Sequence, residues 1–209
     1  MHPEGTWVGQ RGGMAFAGLG RSSLAWPQRR HPLVHPHGMT VFKPPASWTA
    51  DADATVVFLA GSIEMGAATD WQAALTVRLS PGIVVLNPRR DAWDASWRQS
   101  IDEPRFREQV EWELDGLDRA DVIAMWFAPE TRAPITLLEL GLHAHGGKLV
   151  VGCPDGYWRK GNIEVVCARF GLSLTGDWEA FVANVQRALA ASRAQSMSRA
   201  GRDRDGRGR

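Results

Sequence analysis

The feature that most constrains the fold of this 209-residue chain is a repeated alternation between two kinds of segment. Four short apolar runs, "TVVFLA" (55–60), "GIVVLN" (82–87), "DVIAMWF" (121–127) and "KLVVGC" (148–153), are bounded by turn residues and predict buried strands. Between them the apolar period changes to that of a helix. "ATDWQAALTVRL" sets Trp71, Ala74, Leu75 and Leu79 at helical spacing, and further helices are predicted from about Arg105 to Arg119 and over "PITLLELGLHAH". "GNIEVVCARFG" and "DWEAFVANVQRALAAS" predict two more, the second with Trp178, Phe181, Val182, Val185 and Leu189 on one face. Strands alternating with helices pair in parallel through right-handed crossovers. The expected fold is therefore α/β, a three-layer sandwich around a mostly parallel sheet with flavodoxin-like or Rossmann-like order.

This alternating unit is expected over residues 51–193. Residues 1–50, rich in Gly, Pro, His and Arg, read as a flexible arm, and residues 194–209, ending "SRAGRDRDGRGR", as a disordered tail. The 24 basic and 23 acidic side chains balance, so no nucleic-acid or acidic-surface partner is expected. Two cysteines, Cys153 and Cys167, make neither a disulfide framework nor a zinc motif, which points to a reducing cytoplasmic compartment. No apolar run is long enough to span a membrane, and the N-terminus lacks the apolar core of a signal peptide.

Ligands of such sheets sit beyond the carboxyl ends of the strands, which turns the topology into a short list of residues. After the first run comes "GSIEMG", with Gly61, Ser62, Ile63, Glu64 and Gly66; its glycines either make a turn or cradle a ligand. After the second come Asn87, Arg89, Arg90 and the Trp-rich stretch holding Trp93 and Trp97. The adjacent arginines are either solvated or bind an anion. After the third comes "APETRAP", leading to a helix that carries Thr136 and Glu139. Trp126, in the third run itself, either faces the core or stacks on a base. Glu139 is the sharpest case. It is an exposed acid favoured by the helix dipole, or, among Leu137, Leu138, Leu140 and Leu142, a buried and reactive one. His143 follows Glu139 by four residues, but no third ligand accompanies them and no metal is expected.

The ordered pieces "VFLAGSIEMG", "NPRRDAWDASW", "FREQVEWELDGLDRADVIAMWFAPETRAPITLLELG" and "WRKGNIEVVC" resemble the nucleoside 2-deoxyribosyltransferase-like superfamily over roughly Thr55 to Arg169. The resemblance implies that Glu139, in "ELG", is the nucleophile that attacks an anomeric carbon, expels a base and holds the sugar as an ester. It implies that Glu113, with Glu111 as the alternative, assists with sugar hydroxyls or base protons. Gly61, Ser62 and Ile63 would lie near the base, with Asn87, Arg89, Arg90, Trp93, Asp121 and Thr136 completing the substrate contacts. Three features depart from the family pattern: Glu113 stands where Asp is more usual, "APIT" replaces the usual Gly-containing stretch before the nucleophile, and phosphate-binding serines are not evident near Glu139, leaving Arg89, Arg90 or Arg132 for that role. The implied partner is a small nucleoside or nucleotide, with no cofactor, no membrane, and a homo-oligomer in which a neighbouring subunit completes the site. Ribosyl transfer to a second base is one implied outcome. Hydrolysis of a 5′-monophosphate or NAD, or nucleotide binding without turnover, are the alternatives.

Overall fold

The structure is a computed structural model that describes residues 33–34, 39–48, 50, 54–64 and 67–206. Gly66 and most of the N-terminal arm lie outside the described residues. In chain order the elements are β1 (Leu33–Val34), β2 (Thr40–Phe42), β3 (Thr55–Gly61), α1 (Trp71–Thr76), β4 (Ile83–Leu86), α2 (Pro104–Arg119), β5 (Val122–Trp126), α3 (Pro134–His143), β6 (Leu149–Gly152), α4 (Lys160–Phe170), β7 (Ser173–Thr175) and α5 (Trp178–Gly206).

The strands form one sheet in the order β1-β2-β4-β3-β5-β6-β7. All neighbours pair in parallel except β1, which runs antiparallel to β2. The core order β4-β3-β5-β6-β7 is the flavodoxin-like one, so the expected α/β fold is present. Every residue of β4, β5 and β6 is buried, as strands covered on both faces must be. One face packs Trp112 and Leu117 of α2, Leu140 of α3 and Ile163 and Cys167 of α4 against Phe58, Ile123, Met125 and Val151. The other packs Trp71 and Leu75 of α1 and Phe181, Val182, Val185 and Leu189 of α5 against Val57, Leu59, Val85 and Ala124. These are the three layers.

Local chemistry sets the element ends. Asp70 caps α1 by accepting from the Ala73 amide at 3.0 Å. Pro104 opens α2 at the first turn, where its missing N–H costs nothing. Gly171, at φ 64°, stops α4 in the left-handed region. The structure departs from the sequence pattern in several places. Residues 40–42, inside the segment read as an arm, form a strand whose Val41 and Phe42 are buried. β7 has only three residues, half-exposed to exposed, and so lacks an apolar run. α1 ends at Thr76, and turns rather than helix carry the chain to Leu79. α5 continues past residue 193 through an Ala-, Ser- and Arg-rich stretch of adequate helix propensity.

The chain leaves β3 toward β4 on one side and returns to β5 on the other. At such a reversal an α/β sheet binds its ligands, in the crevice beyond the carboxyl ends of the strands, here those of β3 and β5. The reversal places the residues after Gly61 opposite those after Trp126, and the Ser62 amide donates to the Trp126 carbonyl at 3.0 Å between them.

Candidate active site

Glu139 faces inward. Although α3 carries Ile135, Leu138 and Leu142 well exposed on its outer side, Thr136, Glu139 and Leu140 form its buried side. Spacings of three and four residues put those buried positions on one stripe. Only 7% of Glu139 is exposed, and burial pushes its carboxyl up to about 8, with the nearby Glu113 charge adding to the shift. Burial likewise pushes Glu113, half-buried on α2, up to about 7, while a hydrogen bond from Gln109 opposes the rise. Two mutually repelling carboxyls in a crevice is the arrangement by which proteins keep one protonated and one ionised near neutral pH.

Gln109 holds Glu113 in place. Its side-chain amide donates to Glu113 Oε1 at 2.8 Å and to the Pro88 carbonyl at 3.0 Å, tying α2 to the loop after β4. Glu111, the alternative assistant, points elsewhere and pairs with Arg107 at 2.6 Å. At the other side of the crevice, the buried Ser62 hydroxyl accepts from the Ala128 amide at 3.0 Å and hydrogen-bonds the Thr131 hydroxyl at 2.6 Å. Glu64 crosses to the start of α3, where its Oε1 accepts from the Arg132 and Ala133 amides, both at 2.8 Å.

Residues 54–157 match the family described as nucleoside 2-deoxyribosyltransferase like. Through that segment the chain belongs to this family. Among curated proteins none matches the chain. Among solved structures, a conserved protein from Enterococcus faecalis is similar at 13% identity and a TM-score of 0.48, covering 64% of this chain and 98% of that one.

The deoxyribosyltransferase-like domain gathers most of the predicted residues at one edge of the sheet, but not all. Gly61, Ser62 and Ile63 follow β3, Asn87, Arg89, Arg90 and Trp93 follow β4, and Thr136 precedes Glu139 by one turn. Asp121 lies instead at the amino end of β5, the opposite edge, where its Oδ2 accepts from the Val56 amide at 2.8 Å and staples β5 to β3. A strand residue next to the family motif is not thereby next to the crevice, because a strand's two ends face opposite edges of the sheet. Asp121→Ala is therefore expected to cost about 1–3 kcal/mol of stability by orphaning a backbone amide. Thermal unfolding would read that loss, with base release at saturating substrate unchanged.

Both arginines after β4 are already engaged. Arg89 donates to the Ala68 carbonyl at 2.6 Å and lies 3.8 Å from Asp70, while Arg90 reaches Glu108 and Gln109 at 3.3 Å. Arg90 also covers Trp97 at 4.8 Å, and Trp97 packs against Trp93 at 5.3 Å. Trp126 is a core residue: it packs edge-on to Trp178 at 5.0 Å and against Phe181. Sequence reasoning missed Thr131 and Gln109. The signal for Gln109 was present, since it precedes Glu113 by four residues on a helix. Thr131 gave none, because its bond to Ser62 spans 69 residues.

Proposed function

We propose that the protein breaks the N-glycosidic bond of a (2-deoxy)ribosyl compound through a covalent ester on Glu139. The observation that carries this reading is the pair of Glu139, buried, and Glu113, half-buried, at the crevice of a domain whose family acts on such bonds. In the first step the ionised Glu139 carboxylate attacks the anomeric carbon, forming a C–O bond as the C–N bond breaks. The bonding pair leaves with the base, which takes up the single proton the two carboxyls share, carried by Glu113 in the reactive state in which Glu139 is ionised. In the second step a second base or water attacks the same carbon, gives up a proton to Glu113, and frees the Glu139 carboxylate.

The loop over residues 87–97 is the natural wall for the base. Among the described residues, the buried side-chain polar atoms without a partner are the amide of Gln72, Arg89 Nε, Trp93 Nε1 and Trp97 Nε1. Three of these four residues lie in that loop, and buried donors left unpaired are the ones a bound ligand would satisfy. The two free, buried cysteines support a cytoplasmic setting. Among the described residues no helix is long and apolar enough to cross a membrane.

The outer face of α3 supports self-association into a homo-oligomer. Ile135, Leu138 and Leu142, 57–59% exposed, make an uncharged stripe on the helix that carries Glu139. Leu138→Asp is expected to shift the protein to a smaller species in sedimentation velocity; an unchanged species would place the interface elsewhere.

The reaction itself is tested by incubating the protein with deoxynucleosides, ribonucleosides, their 5′-monophosphates and NAD, with and without free adenine. Release of base supports the reading, exchange with adenine separates transferase from hydrolase, and nicotinamide release would identify an NAD glycosidase. Tight binding without release of any base would make the domain a binding module and remove Glu139 from catalysis.

A further inference from the structure

The start of a helix attracts anions, because its first amides lack partners and the dipole adds positive potential. In α3 that position is already filled by a side chain of the protein. Glu64 Oε1 accepts from the Arg132 and Ala133 amides at 2.8 Å each, so a carboxylate sits where a substrate phosphate would gain most. Glu64 and Ala133 both hold left-handed backbone, at φ 45° and 39°, which side chains seldom adopt without a compensating interaction.

Distance makes this carboxylate relevant to the reaction. Glu139 lies six residues beyond Ala133, about 9 Å along the axis at 1.5 Å per residue. Helical side chains lean toward the helix start, so Glu139 leans along α3 toward the end that Glu64 caps. The neighbouring guanidinium groups each have a partner of their own, with the buried Arg89 Nε left without a hydrogen bond. Arg89 is bonded to Ala68 and close to Asp70, Arg90 is paired with Glu108, and Arg132 and Arg159 lie against the Trp158 ring. A phosphate entering the crevice would meet three acids, Glu64, Glu113 and Glu139. It would also oppose ionisation of Glu139, and only the ionised form is a nucleophile.

Resting on the glycosyl-transfer reading above, we infer that Glu64 sets specificity by occupying the anion position at the start of α3, which restricts the site to nucleosides whose sugar carries no phosphate. A nucleoside, neutral at both base and sugar, adds no charge to the acid cluster. A 5′-monophosphate or a dinucleotide would have to displace or face the Glu64 carboxylate.

The test compares kcat/KM for a deoxynucleoside and its 5′-monophosphate, read as base release, in the wild type, Glu64→Gln and Glu64→Ala. Gln keeps an oxygen to accept from the two amides and removes only the charge, so it guards against a folding defect; Ala frees the amides. The wild type is expected to favour the nucleoside by at least tenfold. Both variants are expected to narrow that preference by at least tenfold, chiefly by raising kcat/KM for the monophosphate. A wild type that prefers the monophosphate, or a ratio unchanged in both variants, would overturn the role of Glu64 while leaving the glycosyl-transfer reading standing. No base release from either compound would sink that reading and this inference with it.

Discussion

Glu139→Gln is expected to lower base release by about a thousandfold or more, with substrate still bound. The amide is nearly the same shape as the carboxyl, so packing on the buried face of α3 is retained, but it cannot form the ester. Mass spectrometry of the quenched wild-type reaction should show a sugar adduct on the peptide containing Glu139, absent in the variant. Residual turnover near the wild-type rate would remove Glu139 from catalysis.

The same substitution makes a separate prediction about stability. Burial raises the folded carboxyl to about 8 from its ordinary 4.5, so the folded chain holds this proton more tightly than the unfolded chain does. The stability of the neutral form is fully present below the ordinary value and is lost as pH rises through about 8. The loss is on the order of a few kcal/mol, since each pKa unit is about 1.4 kcal/mol. Glu139→Gln should match the wild type at acid pH, exceed it at alkaline pH, and flatten most of the slope. Glu113, raised to about 7, accounts for the part of the slope that remains. Denaturant unfolding at several pH values reads this directly, and parallel slopes in the two proteins would refute the placement of Glu139 in a dry site.

Gly61→Ala is expected to be the most damaging single-methyl change at the crevice. A Cβ there would stand 2.3 Å from the Trp126 carbonyl oxygen and 2.7 Å from the Trp71 ring, and the φ of 149° suits only glycine. Backbone on one side and a buried indole on the other leave nothing free to yield. The cost should be about 3 kcal/mol or more, or roughly 10 °C in melting temperature. The change would also move the Ser62 carbonyl that accepts from Trp71 Nε1 at 3.0 Å, and with it the loop carrying Glu64. Gly141→Ala is the matching control: helical, with nothing within 4 Å of its Cβ, it should be neutral or slightly stabilising. Equal melting temperatures for the two variants would show that Gly61 is not pinned between those groups. Gly61 therefore has a packing reason to be glycine: it lets β3 end close against β5 and the Trp71 ring.

The sequence by itself determined the layers of this protein. Apolar runs such as "TVVFLA" and "DVIAMWF" are buried on both faces, so they read as central strands without help from distant residues, and parallel pairing follows from the helices between them. It also determined where Glu139 stands, because position along a helix is a local property. Only the tertiary structure decided which way each group faces and what it meets. The apolar residues around Glu139 fall on both sides of α3, so the pattern could not say that Leu138 faces out and the acid in. Asp121 moved to the far edge of the sheet, Arg89 and Arg90 found acid or backbone partners, and Glu64 reached the start of α3 across 68 and 69 residues of chain. Such contacts depend on how the strands are ordered in the sheet, and strand order is fixed by long-range packing, which no local spacing encodes.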